Sequence, residues 1–169
     1  MTAIDNIEQA IAGLNTERNE LKLRYQQKMQ GFMKELTKVF FAENPQITAF
    51  VWTQYTPYFN DGDSCEFRRG EISATNCPLD EIEEVRYEDY EGETEGVFVS
   101  DFSDWTFYSV YQKDTVQAIT EAGINVKAVQ KFISLLESID EEVYEEMFGD
   151  HVRVVATAQG FDVEEYDHD

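Results

Sequence analysis

Apolar residues in the first quarter of the chain recur on a helical period. Ile4, Ile7, Ile11, Leu14, Leu21, Tyr25, Phe32 and Val39 follow one another at steps of three or four, or at multiples of seven. That spacing predicts an amphipathic helix over about 3–43. Thr2, with Asp5 three positions on, supplies an N-cap and an acid in the first turn. Asn44–Pro45 stops the helix, because the residue before a proline is pushed out of the α region. A helix of this length is long for a small domain, so a break is expected near Gly13, Asn15 and Thr16. The apolar stripe has two readings. It packs on the protein's own sheet, or its 3.5-residue period forms a seam with a second copy of the chain, a homodimer through the N-terminal helix.

The pattern then changes period. Residues 47–58 (ITAFVWTQYTPY) are rich in β-branched and aromatic types, which predicts a strand. Asn60, Asp61, Gly62 and Asp63 are turn chemistry, and 64–74 returns as a second strand with Cys65, Phe67 and Ile72 on its apolar side. Residues 77–96 offer little to bury and are expected as a solvated loop, with a short helix at 79–84 and a strand at 84–89. The aromatic run 97–111 re-enters the core, with a strand at 96–100 and a helix or strand over 104–111. A helix over 113–121 ends at Gly123. Asn125 caps the next, with Val126, Val129, Phe132, Ile133 and Leu136 on one face, and Ile139, Val143, Tyr144 and Met147 carry a short helix to Gly149. The last segment alternates from Val152 through Ala156, turns at Gln159–Gly160 and resumes at Phe161, which predicts a hairpin. The fold class is α+β: an antiparallel sheet of hairpins from 47–74 and 151–166, covered by helices. One domain is expected, with a helical segment 1–44 and an acidic α+β body 45–169.

Composition supports a packed core, with 42% hydrophobic residues. No stretch is apolar enough to span a membrane, and the N-terminus has no leader pattern, so a cytoplasmic protein is expected. Charge changes the picture more. The chain has 35 acidic residues against 13 basic, for a net charge of −22. Residues 1–44 carry six of each sign, whereas residues 77–106 carry eleven acids and one base. Such a surface excludes nucleic acid and anionic membranes as direct partners.

Candidate chemistry is sparse. Cys65 and Cys77 lack a C-x-x-C spacing and a nearby histidine, so they are expected as free, partly buried cysteines. The run Asn60 to Glu66 lacks the ligand order of a calcium loop and is expected as a hairpin turn. His151 and His168 are flanked by aspartates, and the second lies in a solvated tail. There is no triad order, glycine-rich phosphate loop or HExxH, so no catalytic residue, metal ligand or cofactor is assigned. Paired carboxylates say little in a chain with so many acids, and a carboxylate-based, divalent-metal-dependent hydrolase stands as the enzymatic alternative.

The acids themselves are the leading functional feature. Averaged over a compact surface they reach about half the phosphate density of duplex DNA. The expected recognition face is Asp80, Glu81, Glu83, Glu84, Glu88, Asp89, Glu91, Glu93 and Glu95. Its partner would be a basic, nucleic-acid-handling protein, and a phage DNA mimic that inhibits host defence is the concrete version. An acidic structural or interaction protein without mimicry is the other binding reading. Trp52, Tyr55 and Tyr58 form an aromatic stretch suited to a core or to a protein interface. The segment from Val51 to Asp63 resembles a segment of small acidic proteins of tailed phages and bacteria. That resemblance implies a phage or bacterial source and no defined activity.

Overall fold

The structure, a computed structural model, describes residues 2–59, 62, 64–76, 78–79, 121 and 123–167, together with the backbone of 98–99. Helix α1 spans Ala3–Glu43 without interruption. Its start is a capping box: the Thr2 hydroxyl accepts from the Asp5 amide at 3.2 Å, and the Asp5 carboxylate accepts from the Thr2 amide. At its end the Asn44 amide and side chain both donate to the Phe40 carbonyl, at 2.9 and 3.0 Å, and Pro45 follows. The break expected near Gly13 is absent. Ala10, Ala12 and Leu14, all good helix formers, flank that glycine, and Thr16 is accommodated in the helix with its hydroxyl turned back onto the Ala12 carbonyl at 3.0 Å.

The heptad stripe does not pack on the sheet. The buried side chains of α1 are Gln26, Met33, Thr37, Phe40 and Phe41, on another face. These residues dock the last part of the helix on the body, and the stripe stays in solvent from Ile4 to Val39. Two adjacent phenylalanines and Met33 offer more apolar area than Phe32 and Val39, and that decides which face turns inward.

Strand β1 (Ala49–Tyr55) lies at the centre of an antiparallel sheet. It pairs on one side with β2 (Arg68–Arg69) and β3 (Ser73–Thr75), and β3 pairs in turn with β4 (Phe98–Val99). The expected return strand is therefore two short strands. Gln54 faces Arg69, but Val51 faces Ser73, so the segment from Gly70 to Ile72 holds one extra residue. This is a β-bulge, and a glycine in it permits a close approach to β1. A Cβ on Gly70 would sit 3.0 Å from the Thr53 carbonyl oxygen, to which the Gly70 amide donates at 2.7 Å. The bulge restores the alternation that sends Ile72 and Ala74 into the core.

On its other side β1 pairs with β5 (Val152–Thr157), which forms a hairpin with β6 (Gly160–Glu165). The turn residues are Ala158 and Gln159, one position earlier than the pattern predicts, because Gly160, at φ 134°, already opens β6. Among the described residues β6 is an edge strand. Helix α2 (Val126–Glu137) begins where the Asn125 side chain accepts from the Ala128 amide at 3.2 Å. Helix α3 (Glu141–Phe148) ends at Gly149, which takes φ 93°.

These helices and the end of α1 cover one face of the sheet. The rings of Phe40, Phe50 and Phe132 meet at 4.3–5.0 Å between centroids. Trp52 packs against Tyr144 and Phe148 at 5.8 and 5.5 Å. Gln54 is fully buried among them. It accepts from Trp52 Nε1 at 3.2 Å and donates to the carbonyls of Tyr144, at 3.1 Å, and Gly149. The opposite face is also buried at its centre, through Ala49, Val51, Ser73, Thr75 and Val155. The α+β class and the hairpin-built sheet are as the pattern predicts. Of the segments expected at 79–84, 84–89, 104–111 and 113–121, all but residues 79 and 121 lie outside the described residues.

Candidate functional site

Asp80, Glu81, Glu83, Glu84, Glu88, Asp89, Glu91, Glu93 and Glu95 all lie outside the described residues, as do Cys77 and His168. The described acidic surface comes from other elements. Helix α3 buries Val143, Tyr144 and Phe148 and turns Glu141, Glu142, Glu145 and Glu146 outward. That division follows from the sequence, since acids at i, i+1, i+4 and i+5 share one side of a helix. Asp140 continues the face, and on the edge strand Asp162 and Glu165 are exposed. Glu164 is half-buried, 3.5 Å from Arg153 across the hairpin.

Two of these acids anchor the middle of α1. Lys22 Nζ is 2.6 Å from Glu142 Oε2, and the Tyr25 hydroxyl donates to Asp140 Oδ2 at 2.7 Å. The second contact holds the Tyr25 phenol above its ordinary pKa, because ionisation would forfeit the hydrogen bond and set two negative charges together. A third acid, Glu141, accepts from the Arg69 amide at 3.3 Å.

The aromatic stretch separates into three environments. Trp52 belongs to the core, fully buried. Tyr55 is half-buried, its ring 5.9 Å from that of Tyr166. Tyr58 is exposed and stacks on His151, with centroids 4.9 Å apart and planes 13° from parallel. Phe59 is still more exposed, at 77%. Asp150 holds this corner. Its Oδ1 accepts from the Thr56 amide at 2.7 Å and from the His151 amide at 2.9 Å, and Oδ2 lies 3.6 Å from His151 Nε2. His151 takes φ 54°, a left-handed conformation reached through the Gly149 turn. No sequence signal joins Tyr58 to His151; the pairing of β1 with β5 brings them together.

Among the described residues the largest exposed apolar feature is the stripe along α1. Ile4, Leu14, Leu21 and Phe32 are each 60–68% exposed, and Ile7, Ile11, Tyr25 and Val39 share their stripe. Along the second half of the helix the stripe borders a groove of about 390 Å³, lined by Met29, Phe32, Leu36 and Val39 from α1 and by Leu135 and Ile139 from the α2 end. The stripe is legible in the sequence. The groove is not, because its far wall comes from a residue pair about a hundred positions away.

Among the described residues no three histidine, cysteine, aspartate or glutamate side chains stand together as a metal site. Cys65 is free but exposed rather than partly buried, because the return strand begins only at Arg68 and leaves it outside the sheet. Nor is any described helix long and apolar enough to cross a membrane. Compared with known proteins, the chain matches no family model, no curated protein and no solved structure.

Proposed function

We propose that the protein is a non-enzymatic binding protein whose acidic body engages a basic, nucleic-acid-handling protein. The observation that carries this reading is the segregation of charge. Residues 1–44 are electrically neutral, while the remainder of the chain carries the whole net charge of −22. An acidic body of that kind presents rows of carboxylates to a lysine- and arginine-lined groove and gains the counterion release that DNA gains there. The outward row of α3, with Glu145 and Glu146, adds to the acid-rich run 77–106 as candidate contact surface. A phage-encoded inhibitor of a host DNA enzyme is the specific form of this proposal.

The test is a competition titration. A basic partner captured from bacterial lysate at low salt is mixed with labelled duplex DNA and increasing amounts of this protein. DNA release, together with slower association when Glu83, Glu84, Glu88, Asp89 and Glu91 are changed to their amides, supports mimicry. A ternary complex with undiminished DNA affinity overturns it.

A further inference from the structure

We infer that a second copy of this chain covers the α1 stripe, in an antiparallel pair where the projecting N-terminal half of each helix lies along the other copy's groove. The inference concerns self-assembly and is independent of the proposed basic partner. Every stripe position from Ile4 to Val39 is exposed, Tyr25 included although its hydroxyl reaches Asp140, so apolar area stays open along the seam. The stripe runs through five heptads, with both core positions apolar in the first two and one apolar core position in each of the next three. An apolar stripe of that length in water calls for a partner.

Charge selects the partner. Surfaces of the body repel a second copy, and the described sheet edge is lined by Asp162, Glu164 and Glu165. Helix α1, with six acids and six bases through residue 44, is the neutral approach.

Charge also selects orientation and register. Three charged residues interrupt the seam: Arg18, Lys28 and Glu35, all exposed. A parallel, in-register pair would stack each on its own copy, giving three like-charged layers and bringing two acidic bodies to the same end. An antiparallel pair removes both conflicts when Arg18 faces Glu35 of the other copy. Lys28 then faces the ring of Tyr25, Leu21 faces Phe32, Leu14 faces Val39 and Ile11 faces Ala42. On the flank, Glu17 comes beside Lys38, and the like-charged flanking pair, Glu8 with Glu43, sits at the exposed ends of the overlap. Sliding by one heptad sets Arg18 against Lys28 or Ala42 and loses the match. In the chosen register Leu14 and Leu21 reach the groove beside Phe32, Val39 and Leu135. The contact is reciprocal, as a two-fold dimer requires.

The experiment is sedimentation equilibrium of the full chain, with thermal unfolding as the folding control. Wild type is expected as a dimer, and Leu14→Asp as a folded monomer. Arg18→Glu alone and Glu35→Arg alone each create two like-charged layers, so each is expected to weaken the dimer by at least about tenfold. The double variant carrying both changes restores the layers and the wild-type dissociation constant. A monomeric wild type at all concentrations overturns the inference. So does a dimer that both single variants leave unweakened, which is the outcome a parallel pair gives.

Discussion

Gln54 is the polar side chain that the inner face of β1 cannot lose cheaply. It is fully buried, and it satisfies the Trp52 indole and the carbonyls of Tyr144 and Gly149 at once. Gln54→Leu keeps most of the volume but strands all three groups, so it is expected to lower unfolding stability by about 2–4 kcal/mol in urea titration. Asp150 gives a pH-dependent counterpart. Its partial burial pulls the carboxyl upward, but hydrogen bonds from the Thr56 hydroxyl and amide and the His151 amide outweigh that, and its pKa lies below the ordinary value. A carboxyl depressed in the folded state stabilises the fold above its unfolded pKa of about 3.9. That contribution disappears as pH falls through the folded value. Asp150→Asn should therefore remove part of the acid limb of the stability curve below about pH 4 and leave the slope between pH 5 and 8 unchanged. Thermal melts of both proteins across that range decide it. Burial acts the other way on Tyr144, whose hydroxyl donates to the Leu136 carbonyl at 2.9 Å and whose pKa is held above the usual phenol range.

Helix α1 performs two tasks with two faces, and substitutions should separate them. Phe40 meets Phe41, Phe50 and Phe132 within 5.7 Å, so Phe40→Ala opens a cavity and is expected to cost about 3–5 kcal/mol. Leu14→Ala removes a side chain that touches solvent in the single copy and should leave the unfolding free energy of a dilute, monomeric sample unchanged. Urea titrations of the two variants side by side test the division. The helix, its cap at Thr2, its stop at Asn44, α2, α3 and the C-terminal hairpin were all legible, because each has local chemistry that acts within a few residues. What was not legible depends on choices made at long range. The heptad stripe outnumbers Met33, Phe40 and Phe41, yet those three dock because they meet Phe50 and Phe132 from elsewhere in the chain. The bulge at Gly70 follows from register against β1 rather than from its own sequence. Trp52 and Tyr58 look alike in the aromatic run, and only strand alternation and the end of β1 send one inward and leave the other out. Of the candidate site, the acidity and the stripe were visible as composition and period, while the groove beside Leu135 and the Tyr58–His151 stack required the fold.

At the scale of the whole molecule, the neutral helix joins the acidic body through the packing of Met33, Phe40 and Phe41 and, nearer its middle, through the Lys22–Glu142 pair and the Tyr25–Asp140 hydrogen bond. With a net charge of −22 the folded chain holds its carboxylates closer together than the unfolded chain does, so self-repulsion opposes folding. Salt screens that repulsion: the Debye length falls from about 30 Å at 0.01 M to about 8 Å at 0.15 M, which spans the distances across the body. It also weakens the Lys22–Glu142 pair, but both partners are more than half exposed and such pairs contribute little. Repulsion among many acids therefore outweighs the loss of a few surface pairs, and the melting temperature should rise with sodium chloride over this range and then level off. The measurement belongs on the Leu14→Asp variant, so that salt-driven association through α1 does not imitate a gain in stability. Chloride is the right anion, since sulfate would add a separate exclusion effect on apolar burial. A melting temperature that is flat or falls between 0.01 and 0.15 M would mean that the acids of the body are already compensated within the fold, and a dense acidic recognition face would lose its physical basis.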